Sequence, residues 1–310
     1  MVCNMFSHSC RATNSIIQRL SEDKGCSLVL TPCGLFDDSY NVQPLSDTPR
    51  AIPFVSIVIC TYGRPESLNE TLISLTKQTF KDFEILLITE KGNLSELRQR
   101  GLRCSGGDIV SFIDDDVYCP PTWLEGVVAG FREGVVGVSG PTVVPHSHLS
   151  NRDIFRWRRL KNLYDFLFLD GNQEVPGYLS SCGAPSTASN YPNGRITCTP
   201  HYLEACNMSV KKDDAIAVGG FEGCFISTSE WCEVDLALKL RSKGKLVYSK
   251  DAYLNHKPSK AGIYKSRLST THRWKNFMYF QKKWIKPSLK TYIYRGFIWT
   301  YLKMKNLQMI

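Results

Sequence analysis

The stretch Gly107-Asp-Ile-Val-Ser-Phe-Ile-Asp-Asp-Asp-Val117 joins a short apolar run to three consecutive acids. The run from Ile109 to Ile113 carries no charge and is rich in β-branched residues, which predicts a strand buried on both faces. The acids at positions 114–116 follow directly where this strand ends. The stretch therefore predicts a buried strand whose carboxyl end presents three carboxylates.

Two similar strands and two helices precede this stretch. The runs Val55–Cys60 and Phe83–Ile88 are also mostly apolar, and the segments after them, Glu66–Gln78 and Ser95–Cys104, place apolar residues at helical spacing. Strands that alternate with helices in this way predict a parallel sheet with right-handed crossover connections. The expected fold class is α/β, with a Rossmann-like, mostly parallel sheet flanked by helices.

The loops that follow the three strands are the expected site of ligand binding. Ligands of open parallel sheets bind outside the carboxyl ends of the strands, so the loops after Cys60, Ile88 and Ile113 should meet at one crevice. Neither Gly-x-Gly-x-x-Gly nor Gly-x-x-x-x-Gly-Lys follows the first strand. This argues against a dinucleotide or P-loop cradle for phosphate.

The three acids Asp114, Asp115 and Asp116 suggest a cation at that crevice. Carboxylates this close repel one another and take up protons unless a cation neutralises them. A divalent ion does so and also bridges to a diphosphate, so Mg²⁺ or Mn²⁺ is the expected cofactor. The alternative is a helix N-cap with acids in its first turn, although a single Asp would serve that purpose.

Further motifs occur in a fixed order between Phe54 and Pro258, roughly two thirds of the chain. They are Pro53-Phe-Val-Ser-Ile-Val-Ile-Cys-Thr-Tyr-Gly-Arg-Pro65, Leu94-Ser-Glu-Leu-Arg-Gln-Arg-Gly101, the stretch from Gly107 to Val117, Cys206-Asn-Met-Ser-Val210, Gly219-Gly-Phe-Glu222, Trp231-Cys-Glu-Val-Asp-Leu236 and Leu254-Asn-His256. Each is weak alone, but as an ordered set they resemble the family-two inverting glycosyltransferases. That resemblance implies the GT-A fold of nucleotide-diphospho-sugar transferases.

The resemblance implies a role for each matching residue. The residues expected to contact the nucleotide sugar are Thr61, Tyr62, Arg64, Glu90, Arg98, Asp114 and Asp115. Asp114 and Asp116 match the ends of the Asp-x-Asp motif, with Asp116 as the metal ligand and Asp114 closer to the ribose. His256 matches a late histidine that completes the metal or diphosphate site. As alternatives, Arg98 is an ordinary solvated helix charge and His256 a structural histidine.

The acceptor side of the site departs from the family pattern. Family members commonly read Glu-Asp-x-Asp-Leu where this chain has Cys232-Glu-Val-Asp-Leu236, so Glu233 occupies the position of the catalytic base. A carboxylate there accepts the proton of the attacking hydroxyl, and its neighbours Trp231 and Cys232 would hold its pKa up by partial desolvation. Asp235 is expected to brace or cap the helix. Asn207, Trp231 and Asp235 are the predicted acceptor-side residues.

The implied function is metal-dependent, inverting hexosyl transfer from a nucleoside-diphosphate sugar to a hydroxyl acceptor. The product would be a glycan, a cell-surface polysaccharide or a glycolipid, on a glycan or lipid-linked acceptor. The nucleobase stays open, because Thr89-Glu90 stands where the family often has an Asp pair. A nucleotidyltransferase is a weaker alternative, because no Gly-rich basic loop follows the first strand to hold a triphosphate.

The resemblance, together with the composition of the two ends, divides the chain into three parts. A polar N-terminal extension covers residues 1–52, and the GT-A domain covers 53–258, with a nucleotide-binding half at 53–140 and an acceptor half at 141–258. Residues 259–310 form a basic, aromatic tail. The net charge of +9 originates there, because 13 Lys or Arg and no acid follow His256. The same 54 residues hold 11 of the 35 aromatic side chains.

The tail predicts two amphipathic helices broken at Pro287. The expected apolar stripes are Trp274, Phe277, Met278, Trp284 and Ile285 in the first helix and Leu289, Tyr292, Ile293, Phe297, Tyr301 and Met304 in the second. Basic residues beside such stripes are typical of helices in the plane of an anionic membrane surface. The alternative is that the stripes pack on the catalytic domain. The tail also leaves open a nucleic-acid-binding or non-catalytic interaction protein, although the acid triplet would repel a phosphate backbone.

The 12 cysteines are scattered without a compact repeat, which favours reduced thiols in a cytosolic protein. No charged start with an apolar run opens the chain, and no stretch of 18 apolar residues occurs. The expected location is the cytoplasm, with peripheral attachment to the cytoplasmic face of a membrane. The spacing of Cys3, Cys10, Cys26 and Cys33, and the histidines His146, His148 and His201, fit metal sites poorly.

Overall fold

The computed structural model describes residues 26–30, 55–144, 163–171, 175–186, 197–258 and 270–307. Within these ranges the chain forms two β-sheets and the helices that flank them. The strands are β1 (Cys26–Leu30), β2 (Val55–Cys60), β3 (Phe83–Ile88), β4 (Ile109–Ile113), β5 (Val117–Tyr118), β6 (Val135–Ser139), β7 (Thr142–Val143), β8 (Asn207–Lys211), β9 (Lys245–Tyr248) and β10 (Leu254–His256).

The main sheet contains seven strands in the order β1-β3-β2-β4-β8-β6-β9. Strand β8 runs antiparallel to both of its neighbours, and the other pairs in this sheet are parallel. The expected mostly parallel α/β sheet is therefore confirmed. Strand β1 lies inside the stretch predicted as a polar extension and pairs with β3 at the edge of the sheet.

The predicted strands β2, β3 and β4 have the bounds that the sequence indicates. Nearly every residue in them is buried, because helices cover both faces of the parallel sheet. The helices are α1 (Pro65–Thr76), α2 (Leu94–Cys104), α3 (Trp123–Gly130), α4 (Lys212–Ala217), α5 (Cys232–Leu240), α6 (Thr270–Trp284) and α7 (Leu289–Leu307).

The two faces of the sheet carry separate hydrophobic cores. On one face, Ile57 packs with Leu72 of α1 and Trp123 of α3. On the other face, Val58 packs with residues of α2 and α5. Helix α2 approaches the sheet very closely at Gly101, where an added Cβ would lie 2.4 Å from a Val58 methyl group. A glycine at this position therefore allows α2 to pack directly against the sheet.

A second, three-stranded sheet in the order β5-β10-β7 lies next to the acid triplet. Strand β5 begins at Val117, directly after Asp116, and β10 pairs with it in the antiparallel sense. His256 is paired with Val117, and the Lys257 amide donates to the Asp116 carbonyl at 2.8 Å. The small sheet thus brings a histidine from the end of the predicted catalytic domain beside the acid triplet.

The C-terminal helices α6 and α7 form with a break at Pro287, as the sequence predicts. The membrane-facing interpretation of α6 does not fit its environment, because Phe277 and Phe280 are fully buried against the rest of the chain. The alternative, packing on the catalytic domain, describes α6. Helix α7 has a buried face and an exposed face, because Tyr294 is buried whereas Leu289 is 78% exposed. In the described part of the chain, no helix is both long and apolar enough to cross a membrane.

Candidate active site

The loops after β2 and β4 meet at the carboxyl ends of the strands. Thr61 and Arg64 come from the first loop and bind the acids of the second. Thr61 Oγ1 donates to Asp115, and Arg64 Nη2 pairs with Asp115 Oδ1 at 2.6 Å. Arg64 Nη1 donates to Asp116 Oδ2 at 2.9 Å. The expected convergence of these two loops is observed in the structure.

Asp115 is the most deeply buried of the three acids. Its side chain is inaccessible to solvent and is enclosed by Thr61 and Arg64. Burial raises the pKa of Asp115 to about 6, although the Thr61 hydroxyl and the Arg64 charge oppose this shift. Asp115, predicted among the nucleotide-binding residues, is placed as an anchor between the two loops.

Asp114, Asp116 and His256 form a cluster suited to a metal ion. Their candidate ligand atoms all lie within 4.8 Å of one another. His256 Nε2 is 3.1 Å from Asp116 Oδ1 and 4.0 Å from Asp114 Oδ2. Because Arg64 holds Asp116 Oδ2, the other oxygen of this carboxylate is turned toward His256. Two carboxylates and an imidazole are a donor set that fits Mn²⁺ or Mg²⁺.

Arg98 of α2 lies beside this cluster and is 5% exposed, so it is not a solvated helix charge. Its Nη2 is 3.6 Å from Asp114 Oδ1 and donates to the Ala205 carbonyl at 3.4 Å. Its Nη1 donates to the Cys232 sulfur at 3.6 Å. Burial alone would lower the pKa of Arg98, but Cys232 and Asp114 raise it overall. A permanent positive charge therefore connects the acid cluster to the start of α5.

Glu233 lies in the first turn of α5, next to the Cys232 that Arg98 contacts. It is half-buried. Burial raises the pKa of the Glu233 carboxyl, with Arg98 opposing the shift and Glu230 adding to it. A carboxylate with a raised pKa is a better proton acceptor than a fully solvated one. Glu233 is thus one residue from the Arg98 contact with Cys232, and its role as the base stays a prediction.

The other predicted site residues have different environments. The Asn207 side chain is buried, accepts from Trp123 Nε1 and donates to the Ala252 carbonyl. Glu90 forms an ion pair with Arg100 of α2. Tyr62 is 44% exposed at the mouth of the first loop. Asn207 is thus engaged within the fold, whereas Tyr62 is open to a ligand.

Trp231 and Asp235 both face helix α6. The Trp231 ring stacks on Phe280 with 4.5 Å between centroids. Asp235 is fully buried, accepts from Trp284 Nε1 at 2.7 Å, and pairs with Lys283 Nζ at 2.6 Å. Their acceptor-side role stays a prediction, and the contacts of Asp235 lie with α6.

Several residues near the site were not singled out from the sequence. Cys60 ends β2 close to Arg98, and burial raises the pKa of its thiol to about 12. Asn276 of α6 is fully buried and bonds both the amide and the carbonyl of Ile226. Asn276 lies outside the apolar stripe predicted for this helix, so the sequence carried no signal for it. His201, weighed from the sequence as a metal ligand, bonds the Leu179 backbone instead. The other histidines and cysteines weighed as ligands, His146, His148, Cys3, Cys10 and Cys33, lie outside the described residues.

Comparisons with known proteins agree with the resemblance. Residues 88–184 match the family model described as "Glycosyl transferase family 2". A Haloferax volcanii protein named "Glucosyl-dolichyl phosphate glucuronosyltransferase" is 24% identical over 238 residues, which cover 66% of this chain and 69% of that protein.

Two solved glycosyltransferase structures are also similar to this chain. One is the mannosyltransferase PcManGT from Pyrobaculum calidifontis in complex with GDP-Man and Mn²⁺, with a TM-score of 0.47 at 14% identity. The match covers 84% of this chain and 74% of the PcManGT chain. GalNAc-T7 with UDP, GalNAc and Mn²⁺ has a TM-score of 0.47 at 10% identity; the match covers 67% of this chain but only 44% of that one.

The ordered motifs agree with both the sheet topology and the family match. The ordered motifs between Phe54 and Pro258 include the stretch that the family model matches. The seven-stranded sheet with helices on both faces is the GT-A architecture that the resemblance implies, so the expected fold class is confirmed. This chain is therefore similar to glycosyl transferase family 2, whose model matches residues 88–184.

Proposed function

We propose that this protein is a metal-dependent, inverting glycosyltransferase that moves a sugar from a nucleoside diphosphate to a hydroxyl acceptor. The observation that carries the proposal is the arrangement around Arg98, which contacts both Asp114 and the residue before Glu233. Arg98 thus contacts a cluster suited to a divalent ion, and its charge also acts on the candidate base Glu233. The pair supplies what glycosyl transfer with a diphosphate leaving group requires.

The proposed chemistry follows from charge and proton balance. The acceptor oxygen forms a bond to the anomeric carbon, the bond from that carbon to the diphosphate oxygen breaks, and Glu233 accepts the acceptor proton. Asp114, Asp116 and His256 would hold the ion, which supplies charge stabilisation for the leaving diphosphate. Arg98 adds a fixed positive charge beside Asp114. Attack from the side opposite the leaving group implies inversion.

The acceptor is proposed to be a glycan or a lipid-linked sugar. A Haloferax volcanii relative is named for transfer of glucuronic acid to glucosyl-dolichyl phosphate, a lipid-linked acceptor. The exposed apolar surface of this chain near α7 is compatible with an acceptor of that chemistry. The two glycosyltransferase structures described above hold different nucleotides, UDP and GDP, so the nucleobase is left to the experiment.

Calorimetric titration of the full chain with UDP, GDP and dTDP, with and without Mn²⁺, tests the metal and nucleotide parts of the proposal. One nucleotide should bind in a Mn²⁺-dependent manner. Asp116→Ala should weaken that binding by about 100-fold, because it removes a ligand and leaves Arg64 without one of its acids. Folded protein that binds none of the three nucleotides, or an Asp116→Ala variant that binds normally, contradicts the proposal.

We also propose that α7 attaches the protein peripherally to an anionic membrane surface. Its exposed side chains are large and apolar: Leu289, Tyr292, Ile293, Trp299 and Met304. Basic side chains lie among them, with Lys303 over the Trp299 ring and Arg295 over the Tyr292 ring. Apolar side chains beside cations fit a bilayer interface that carries negative headgroups.

Sedimentation with vesicles tests the membrane proposal on the full chain. The protein should bind phosphatidylcholine vesicles that contain phosphatidylglycerol, and binding should fall with added salt. Ile293→Ser should reduce partitioning about 5- to 10-fold, because Ile293 is 56% exposed on α7. The matched control is Ile216→Ser on α4, where an isoleucine is 45% exposed outside this surface. Equal losses for both variants, or no vesicle binding, contradict the proposal.

A further inference from the structure

The segment that leads into Glu233 has an unusual backbone. Ser227, Ser229 and Trp231 all adopt positive φ angles, of 60°, 51° and 78°. Residues other than glycine rarely adopt this conformation, and three within five residues is a concentrated source of strain. Such a segment keeps its shape only where surrounding groups determine it. Its contacts therefore show what fixes the approach to the proposed base.

Helix α2 holds one side of this segment. The Ser227 amide donates to Asn93 Oδ1 at 2.8 Å, and the Ser95 amide donates to Ser229 Oγ at 3.1 Å. The Leu94 amide also donates to the Ser227 carbonyl. These bonds connect the segment to the start of the helix that carries Arg98.

Helix α6 holds the other side, through one amide side chain. Asn276 Nδ2 donates to the Ile226 carbonyl at 2.9 Å, and Asn276 Oδ1 accepts from the Ile226 amide at 2.9 Å. Asn276 is fully buried. A primary amide is the side-chain group that satisfies a backbone donor and acceptor together. Loss of this side chain would leave the backbone polar groups of Ile226 without these partners.

We propose that Asn276 is a positioning residue for glycosyl transfer, acting through the 226–231 segment on the placement of Glu233. Asn276 contacts Ile226, and the amide also approaches Glu230 Oε2 at 3.4 Å. The inference rests on the proposed function, because it concerns the base of that reaction. A small displacement of a reacting group costs rate more than binding, so the effect should fall on turnover.

Turnover of the full chain with Mn²⁺ and water as acceptor tests the inference. The probes are UDP-glucose, UDP-glucuronic acid, GDP-mannose and dTDP-rhamnose, and the readout is release of the nucleoside diphosphate. With the probe that wild-type protein uses best, Asn276→Ala should lower kcat about 10- to 100-fold. The KM for the sugar nucleotide should change less than about twofold, because the metal cluster is untouched.

Gln281→Ala is the matched control on the same helix. Gln281 is also a fully buried amide, but it donates to the Cys182 carbonyl at 3.1 Å, away from the 226–231 segment. Gln281→Ala should lower the melting temperature about as much as Asn276→Ala does. Its kcat should stay within about twofold of the wild-type value. Asn276→Asp, which keeps the side-chain volume but lacks the donor, is the second variant if Asn276→Ala does not fold.

The outcomes separate this inference from the proposed function. Wild-type protein that releases no nucleotide from any probe overturns the proposed function, and the positioning role with it. Wild-type turnover together with a normal kcat in the Asn276 variants overturns the positioning role alone. An equal loss of kcat in Gln281→Ala also overturns it, since the effect would then come from a loosened helix.

Discussion

The acid loop at residues 114–116 and the segment at residues 226–231 flank the same arginine, yet different contacts hold them. The acid loop is fixed by groups on neighbouring strand ends, with Arg64 on one side and His256 on the other. The 226–231 segment adopts left-handed backbone and is held by Asn276 of a helix that lies outside the sheet. The proposed metal end thus depends on the sheet, whereas the proposed base end depends on α2 and on how a C-terminal helix docks. The two ends should fail in different ways when they are perturbed.

The largest expected effect is at the base end. Glu233→Gln keeps the shape of the side chain but removes the proton acceptor, so kcat should fall by about 10²- to 10⁴-fold. Binding of the nucleoside diphosphate with Mn²⁺ should stay within about twofold, because the metal cluster is intact. Single-turnover kinetics and calorimetry measure the two quantities. Full turnover in Glu233→Gln would show that Glu233 is not the base, and the proposed difference between the two regions would then be wrong.

A smaller effect is expected from the metal end. His256→Ala should weaken Mn²⁺-dependent nucleotide binding by about 10- to 100-fold, because it removes one of three candidate ligands. The half-buried His201, which bonds the Leu179 backbone, provides the control variant His201→Ala. If both substitutions weaken binding equally, His256 has no specific part in holding the ion.

A substitution that disturbs the docking of α6 is expected to change the stability of the protein rather than its binding of the nucleotide. Asp235 is fully buried and pairs with Lys283 of α6 and Lys239 of α5. Asp235→Asn should lower the free energy of unfolding by about 2 kcal/mol, because it leaves these lysines without that charge. Glu70→Gln is the control, since the Glu70 pair with Lys257 is on the surface. Equal melting temperatures for the two variants would argue that Asp235 does not hold α6.

The smallest effect concerns pH. Burial raises the folded pKa of Glu233 above its ordinary value of 4.5, and the base must be ionised, so turnover should be lost as the pH falls through that raised pKa. Glu230 contributes to the increase, so Glu230→Gln should move the acidic limb of kcat toward lower pH, by less than about one unit. A pH profile at saturating sugar nucleotide measures the shift. Movement toward higher pH would contradict the assignment.

The sequence predicts the strand ends around the acid triplet better than the 226–231 segment, and the reason is physical. Strands β2, β3 and β4 are runs with a single polar residue each, so their bounds and the loops at their ends can be located from the sequence alone. Strand β1 is different, because it lies inside a polar stretch and is recognisable only from its pairing with β3. Which residues hold the 226–231 segment depends on long-range docking that no local pattern encodes.

The two C-terminal helices show the same limit. Both helices are basic and aromatic, so composition alone predicts the same environment for the two. Gln281 marks the difference, because a buried amide within an apolar stripe needs protein partners and fits poorly in a lipid interface. Helix α7 leaves Ile293 and Trp299 exposed along one face. Polar residues inside an amphipathic stripe are therefore a useful signal for a helix that packs on its own domain.

The three-stranded sheet formed by β5, β10 and β7 has a consequence for chelation. Its pairing of His256 with Val117 makes the histidine and Asp116 neighbours through backbone hydrogen bonds alone. The donor set is assembled by the fold, unlike that of small domains that order only when they capture zinc. Treatment with EDTA should therefore silence the enzyme while its circular dichroism spectrum is unchanged, and added Mn²⁺ should restore turnover without a refolding step.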